Sequence, residues 1–401
     1  MAFNTTLWSQ LPLEVLEQVL SFLPVPDLCR YCTTCKTWNE LINNPSFGVL
    51  HVRNRNKHSP FIAIHAIATS FKNGYIDGSQ VLCFLDISSK KWYSMKPRDA
   101  LETSFLFNPR YFKVVAMDGG LVLLKALKGA PKLCHHESGC TQLFVWNPIK
   151  DIKINLPCVL KESSYLSPFI DFVVDDIAET FKVFVMNQDW ESRLVEIYDS
   201  VMKEWKTSSK VEMNNIYIIQ SIVFQNILYI LCFAFDVNHD MEGHYELWRY
   251  NHVADIWERL HFVKGCFVEP NYKNFEWDKQ LIVSGGCLFV TFTGVSDNDL
   301  FEVHEIDIQS RSTKVLLRWI QKGIFDTDAY LHDKYCDIYV IGFNKSIMLM
   351  CNLSRNIVIF DVETKETSFE WPQLPLRKLS GVEKYSLMGK QMDFLLPGTL
   401  K

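Results

Sequence analysis

The chain reads as an α+β, multidomain protein in which a small three-helix module precedes an all-β propeller, six blades preferred and seven possible. Three observations predict this. An apolar arc too wide for a surface helix occupies residues 12–23 between two prolines. From about residue 60 the composition changes to short apolar runs rich in Val, Ile, Phe and Tyr, bounded by Asn, Asp, Gly and Ser, as strands and turns require. One element then recurs steadily: an apolar strand ending in Asp or Asn, a short polar turn, and a second strand. Its anchors, Asp86, Asn147, Asp199, Asn251, Asp307 and Asp361, are separated by 61, 52, 52, 56 and 54 residues.

The helices come first. Pro12 suits the first helical position, where its missing N–H would be unpaired anyway, and no breaker follows before Pro24, so residues 12–23 are expected to form one helix. At about 100° per residue, Leu13, Val15, Leu16, Val19, Leu20, Phe22 and Leu23 cover roughly half its circumference. Pro24 and Pro26 turn the chain into Asp27–Cys32, and a third helix over residues 34–43 is expected to stop at Pro45. Three helices this short enclose little core. A domain of about forty residues needs metals, disulfides or a partner, and here the partner is expected to be another polypeptide.

Each repeat has its own local chemistry. The Asp or Asn side chain can bond backbone N–H groups two residues on and close a tight turn. Trp92, Trp205 and Trp257 each lie six residues after an anchor and are expected to be the largest buried side chain of the returning strand. Upstream of the anchors are further strand pairs, at 114–125 through Gly119-Gly120, 222–233 through Gln225-Asn226, and 281–291 through Gly285-Gly286. Each unit therefore holds about four antiparallel strands, and about 50 residues per unit without helices is the pattern of propeller blades. The tail from Tyr385 to Leu396 is expected to close the ring against the first blade. Residues 216–235 are apolar enough to suggest a membrane span, but Gln225-Asn226 is expected to split them into two strands.

The bulk properties exclude several classes. With 48% hydrophobic and 22% charged residues in 401, the chain is expected to fold throughout, and a net charge of −5 gives no general attraction to nucleic acid or to an anionic membrane. Met1 to Thr6 lack the basic flank and apolar core of a secretory signal, so nucleus and/or cytoplasm is the expected location and the twelve cysteines are expected as free thiols. No phosphate-cradling loop, nucleophile elbow or HExxH pattern is present, so no catalytic residue, cofactor or metal is assigned. Cys134, His135, His136 and Cys140 match no standard zinc spacing, and Cys29, Cys32 and Cys35 are expected to pack in the helical core.

Leu11-Pro12, Val15-Leu16, Val19-Leu20, Leu23-Pro24, Asp27-Leu28, Arg30, Cys35-Lys36, Trp38, Leu41-Ile42 and Pro45 to Phe47 fall at the spacings of the F-box, which residues 5–50 closely resemble. The resemblance implies docking on a Skp-family adaptor, and through it on a cullin-RING ubiquitin ligase, with Leu11, Pro12, Leu16, Leu20, Leu23, Pro24, Leu28 and Trp38 carrying or supporting the contact. Residues 55–396 resemble a degenerate kelch-type propeller of the kind plant F-box proteins carry, although double glycine survives in only two units.

Loop length points to the binding face. The short turns lie at the Gly-Gly and Asp/Asn sites, so the long loops at 128–142, 187–193, 236–245, 264–279 and 294–300 are expected together on the opposite face. Trp190, His239, Asp240, Tyr272, Phe275, Trp277, Asp297 and Asp299 are its candidate substrate-binding residues. The expected function is recognition of a protein substrate for a Skp-cullin-F-box ligase, with no chemistry of its own. The alternative is a propeller platform acting outside ubiquitination, such as a transcriptional cofactor.

Overall fold

The computed structural model describes residues 11–54, 61–95, 112–126, 140–161, 168–260, 277–320, 338–373 and 382–392, apart from short stretches within these segments. Four helices come first: α1 (Leu13–Leu20), α2 (Val25–Cys32), α3 (Lys36–Ile42) and α4 (Pro45–Arg53). Pro12 sits just before α1 with extended backbone, and its carbonyl accepts the first helical bond, from the Leu16 N–H at 3.0 Å. The helix ends at Leu20 rather than residue 23, where the Ser21 hydroxyl donates back to the Gln18 carbonyl at 2.7 Å. Pro24 and Pro26 open α2 two residues earlier than the sequence suggests, because a first turn tolerates missing N–H groups.

The fourth helix is a departure from the three-helix expectation. Pro45 does bar α3 from continuing, but it also opens α4, with Asn44 Oδ1 accepting the Ser46 N–H at 3.1 Å. Three side chains tie α4 to the start of the module: the Ser46 hydroxyl donates to Glu17 (3.2 Å), His51 Nε2 to the Leu23 carbonyl (3.1 Å) and the Asn54 amide to the Ser21 hydroxyl (2.7 Å). Leu16, Leu20, Leu28, Ile42 and Phe47 form the buried core, with Leu23, Tyr31, Trp38 and Leu41 packed against it. Cys35 lies outside that core, exposed at the start of α3, where its sulfur accepts the Trp38 N–H at 3.4 Å; this corrects the expectation that it is a core thiol.

The rest of the described chain is a six-bladed propeller of four-stranded antiparallel sheets, each with strands a to d from the axis outward. Blade 2 runs Phe112–Asp118, Leu121–Ala126, Leu143–Asn147, Ile152–Asn155; blade 3 runs Phe169–Asp175, Thr180–Met186, Val195–Asp199, Glu204–Thr207. Blade 4 comprises Ile216–Phe224, Ile227–Phe235, Gly243–Asn251 and Ile256–Leu260; blade 5 comprises Trp277–Ser284, Cys287–Gly294, Leu300–Asp307 and Ser312–Ile320. Blade 6 comprises Ile338–Phe343, Ser346–Cys351, Ile357–Asp361 and Thr367–Ser368. Blade 1 is composite: Phe61–Lys72, Tyr75–Asp86 and Lys91–Met95 are its b, c and d strands, and the a strand is Val382–Met392, with Phe61 opposite Met392. The ring thus closes through the chain's late strand, as the tail suggests, and the described strands make six blades.

All six anchors end c strands. In five blades the side-chain oxygen accepts backbone N–H groups two and three residues on: Asp86 from Ser88 and Ser89, Asp199 from Val201 and Met202, Asn251 from Val253 and Ala254, Asp307 from Gln309 and Ser310, Asp361 from Glu363 and Thr364. The residue four after each of these anchors (Lys90, Lys203, Asp255, Arg311, Lys365) turns the chain with positive φ, between 51 and 64°. The a–b turns also use positive φ, at Gly119-Gly120, Gln225-Asn226 and Gly285-Gly286, so the apolar run at 216–235 is split as its polar pair indicates.

The propeller's core lies between blades. Six apolar clusters occupy the six blade–blade joints, for example Phe184, Ile197, Ile218, Ile230 and Tyr250 between blades 3 and 4. The three tryptophans after the anchors are half-buried and serve these joints rather than their own strands. Their indole N–H groups donate to carbonyls of the preceding blade's outer end: Trp205 to Pro157 at 3.0 Å, Trp257 to Ser209 at 3.1 Å, and Trp92, across the closure, to Pro372 at 3.2 Å. Amide side chains bridge inner strands in the same way, Gln220 spanning N–H and carbonyl of Leu281 in the next blade, and Gln280 spanning Val340 N–H and Ile338 carbonyl. At the joint of blades 5 and 6 the backbones nearly touch: a Cβ on Gly342 would lie 2.0 Å from the Val283 carbonyl oxygen.

Two outcomes follow. Gly342→Ala must push those strands apart and is expected to cost about 1–3 kcal/mol in denaturant unfolding, as overpacked sites do. Burial alone would raise the Asp86 carboxyl, but hydrogen bonds from Ser89 and Ser88 outweigh it and hold it below the ordinary 3.8; the Thr364 and Ser310 N–H groups hold Asp361 and Asp307 low as well. A depressed carboxyl contributes stability that is complete above its unfolded pKa and lost as pH falls through the folded value. Thermal stability is therefore expected to fall as pH drops below about 4, read as a lower unfolding temperature. Asp86→Asn, which keeps the turn as Asn251 does, flattens that dependence.

Candidate functional site

The helical module is where the sequence and structure together single out a binding surface. Its core takes only one side of the apolar arc. Leu16 and Leu20, four apart, face inward and are 3% and 1% exposed, and Leu28 is buried with them. Val15 and Val19, also four apart, with Phe22 after them, lie roughly a quarter turn round the helix and remain 44%, 37% and 37% exposed. Leu13 is exposed on the other flank of the inward row. The helix therefore carries more apolar surface than its own module uses.

The predicted adaptor-binding residues divide accordingly. Pro12 is exposed, and Leu11, Leu23, Pro24 and Trp38 are half-buried, placed to take part in a contact. Leu16, Leu20 and Leu28 are enclosed and act by holding the helices together. Trp38 lies edge-on to Tyr31 with ring centroids 5.0 Å apart, which fixes α3 against α2. Leu13, Val15, Val19 and Phe22 are exposed; the width of the arc signals them in the sequence, but only the fold shows which part of it is left uncovered.

On the propeller, antiparallel order places the a–b and c–d turns at one end of every blade and the b–c and d–a connections at the other. Trp190, His239, Asp240, Tyr272, Phe275, Asp297 and Asp299 lie outside the described residues, as do Cys134, His135 and His136. Trp277 is a strand residue, opening strand a of blade 5 opposite Gly294, rather than a loop residue as expected from sequence. Cys140 lies in a short strand paired with Val159–Lys161. Among the described residues no group of three or more His, Cys, Asp or Glu is placed to hold a metal ion, and no helix is long and apolar enough to cross a membrane.

Residues 8–47 match the F-box-like family model. The chain is 25% identical over 207 residues to an F-box/kelch-repeat protein of Arabidopsis thaliana, covering 50% of this chain and 51% of that one. It is 30% identical over 142 residues to a second F-box/kelch-repeat protein of the same plant, covering 35% of this chain and 28% of that one. The matched region thus spans about half or less of these relatives' length. Among solved structures the chain is similar to the nidogen/laminin complex (8% identical, TM-score 0.45, 82% of this chain and 98% of that one). It is also similar to the β-propeller domain of the trilobed protease from Pyrococcus furiosus (7% identical, TM-score 0.42, 84% and 95%). An F-box-like segment on four short helices, with six blades behind it, makes the chain similar in its arrangement to these F-box/kelch-repeat proteins of Arabidopsis thaliana.

Proposed function

We propose that this chain is the substrate-recognition subunit of a Skp-cullin-F-box ubiquitin ligase. The observation that carries this is the exposed apolar row of Val15 and Val19 on α1 and Phe22 just after it, beside a core already complete with Leu16 and Leu20. Burying such a row against an adaptor removes apolar surface from water with no rearrangement of the module's core. The propeller's b–c and d–a face then holds a substrate protein near the ubiquitin-charged conjugating enzyme. The chain itself performs no bond chemistry; it turns a bimolecular encounter into a local one, for which effective concentrations in the millimolar range are ordinary.

The test uses purified full-length chain and a Skp-family adaptor. Val19→Asp combined with Phe22→Asp is expected to weaken adaptor binding by tenfold or more, which corresponds to about 1.4 kcal/mol, while the unfolding free energy stays within about 1 kcal/mol of the parent. Leu20→Ala is the contrasting variant: it opens the core and costs about 2–5 kcal/mol of module stability. Undiminished adaptor binding by the folded Val19→Asp, Phe22→Asp chain overturns the reading.

A further inference from the structure

The five c–d turns described above share one backbone geometry, but two have unusual tips. At the second and third positions after the anchor, blades 1, 5 and 6 carry Ser88-Ser89, Gln309-Ser310 and Glu363-Thr364, polar as solvent-facing turns normally are. Blade 3 carries Val201-Met202, and blade 4 carries Val253-Ala254 with Ile256 close behind. Val201, Met202, Val253 and Ile256 are 64%, 65%, 80% and 58% exposed. The two turns adjoin, since Lys182 Nζ lies 3.7 Å from Asp199 Oδ2 at the base of one and 3.0 Å from His252 Nε2 in the other. A second irregularity falls on the same pair. The positive-φ position is basic in blades 1, 3, 5 and 6 (Lys90, Lys203, Arg311, Lys365) and acidic only in blade 4, at Asp255.

We propose that these two turns form a two-fold interface between two copies of this chain, the Val201-Met202-Lys203 tip of each resting on the Val253-Ala254-Asp255 tip of the other. A two-fold axis makes one patch serve as its own partner, so that residue i meets j and j meets i. These turns satisfy that requirement by being alike in apolar character and opposite in charge. Lys182, Lys203 and Lys206 are balanced locally by Asp199, Glu204 and Asp255, so an anionic bilayer gains no net attraction, whereas a second copy meets both signs. Four side chains of this size offer on the order of 400 Å² per copy, about half of a standard protein–protein interface, which points to a weak dimer. The c–d turns lie at the opposite end of each blade from the b–c and d–a connections, so association leaves those connections uncovered.

The experiment is sedimentation equilibrium of the full chain over a range of concentrations, in the Val19→Asp, Phe22→Asp background so that the helical module's apolar row does not contribute. A concentration-dependent monomer–dimer equilibrium is expected. Met202→Glu and Val253→Glu should each raise its dissociation constant by about tenfold or more, while Val315→Glu, on the outer strand of blade 5, leaves it unchanged. Lys203→Glu and Asp255→Lys should each weaken the dimer alone, and an equimolar mixture of the two should restore it, because both cross-axis contacts then pair opposite charges. Lysine fits the Asp255 backbone, since Lys90, Lys203 and Lys365 hold the same conformation. The Tyr250 hydroxyl and the Ser209 N–H and hydroxyl lose their acceptor in that variant; if circular dichroism shows Asp255→Lys unfolded, Met202→Glu and Val253→Glu decide. A chain that stays monomeric at every concentration overturns the proposal, as does a dimer indifferent to both glutamate substitutions. So does a chain that stays monomeric but sediments with phosphatidylserine vesicles in a manner lost in Met202→Glu.

Discussion

Closure of the ring is the constraint on which the β-domain depends. A twisted sheet of four strands buries little by itself, and here the apolar clusters lie at the joints, shared by neighbours. No blade owns a core, so each is stable only with a blade on either side. The joint between the last blade and the first must therefore be as well made as the others, and it has extra ties. Lys90 donates to the Glu370 carbonyl at 3.0 Å and lies 4.7 Å from the Trp371 ring centroid, beside the Trp92 bond to Pro372. The late strand Val382–Met392 then supplies the first blade's inner edge.

The helical module works on a different principle. Its core is compact and self-contained, yet its first helix retains apolar side chains beyond what that core can use. In the propeller apolar surplus is absorbed by the next blade, whereas in the module it remains facing outward. The two parts thus treat apolar surface differently: the ring covers it by its own repetition, and the module leaves Val15, Val19 and Phe22 exposed.

Much of this was legible in the residues. The Asp and Asn anchors forecast the five described c–d turns, because the chemistry that closes such a turn is local and a single side chain supplies it. Gln225-Asn226 was readable as a turn for the same reason. The missed features depend on neighbours that are distant in sequence. As a local signal Pro45 marks only a stop, although the same missing N–H that ends one helix suits the start of the next. The tryptophans after the anchors were placed in the right strands, but their indole bonds reach the blade before, which no local pattern contains. The arc on α1 was seen whole. Which half of it turned inward was decided by Leu28, Ile42 and Phe47, contributed by three other helices. The same gap leaves open, from sequence alone, which of the eight residues carry a contact and which, like Leu16, Leu20 and Leu28, support it from within the core.

The composite first blade also orders events during synthesis. Its b, c and d strands leave the ribosome soon after α4, but the inner strand that completes their sheet follows only after five other blades have been made. A nascent chain therefore holds an open arc with unpaired edges until residue 392 is available, while the four helices, whose contacts are all local, can assemble early. A chain that stopped short of residue 382 would keep its four N-terminal helices but lack the inner strand of the first blade, leaving a ring that cannot shut.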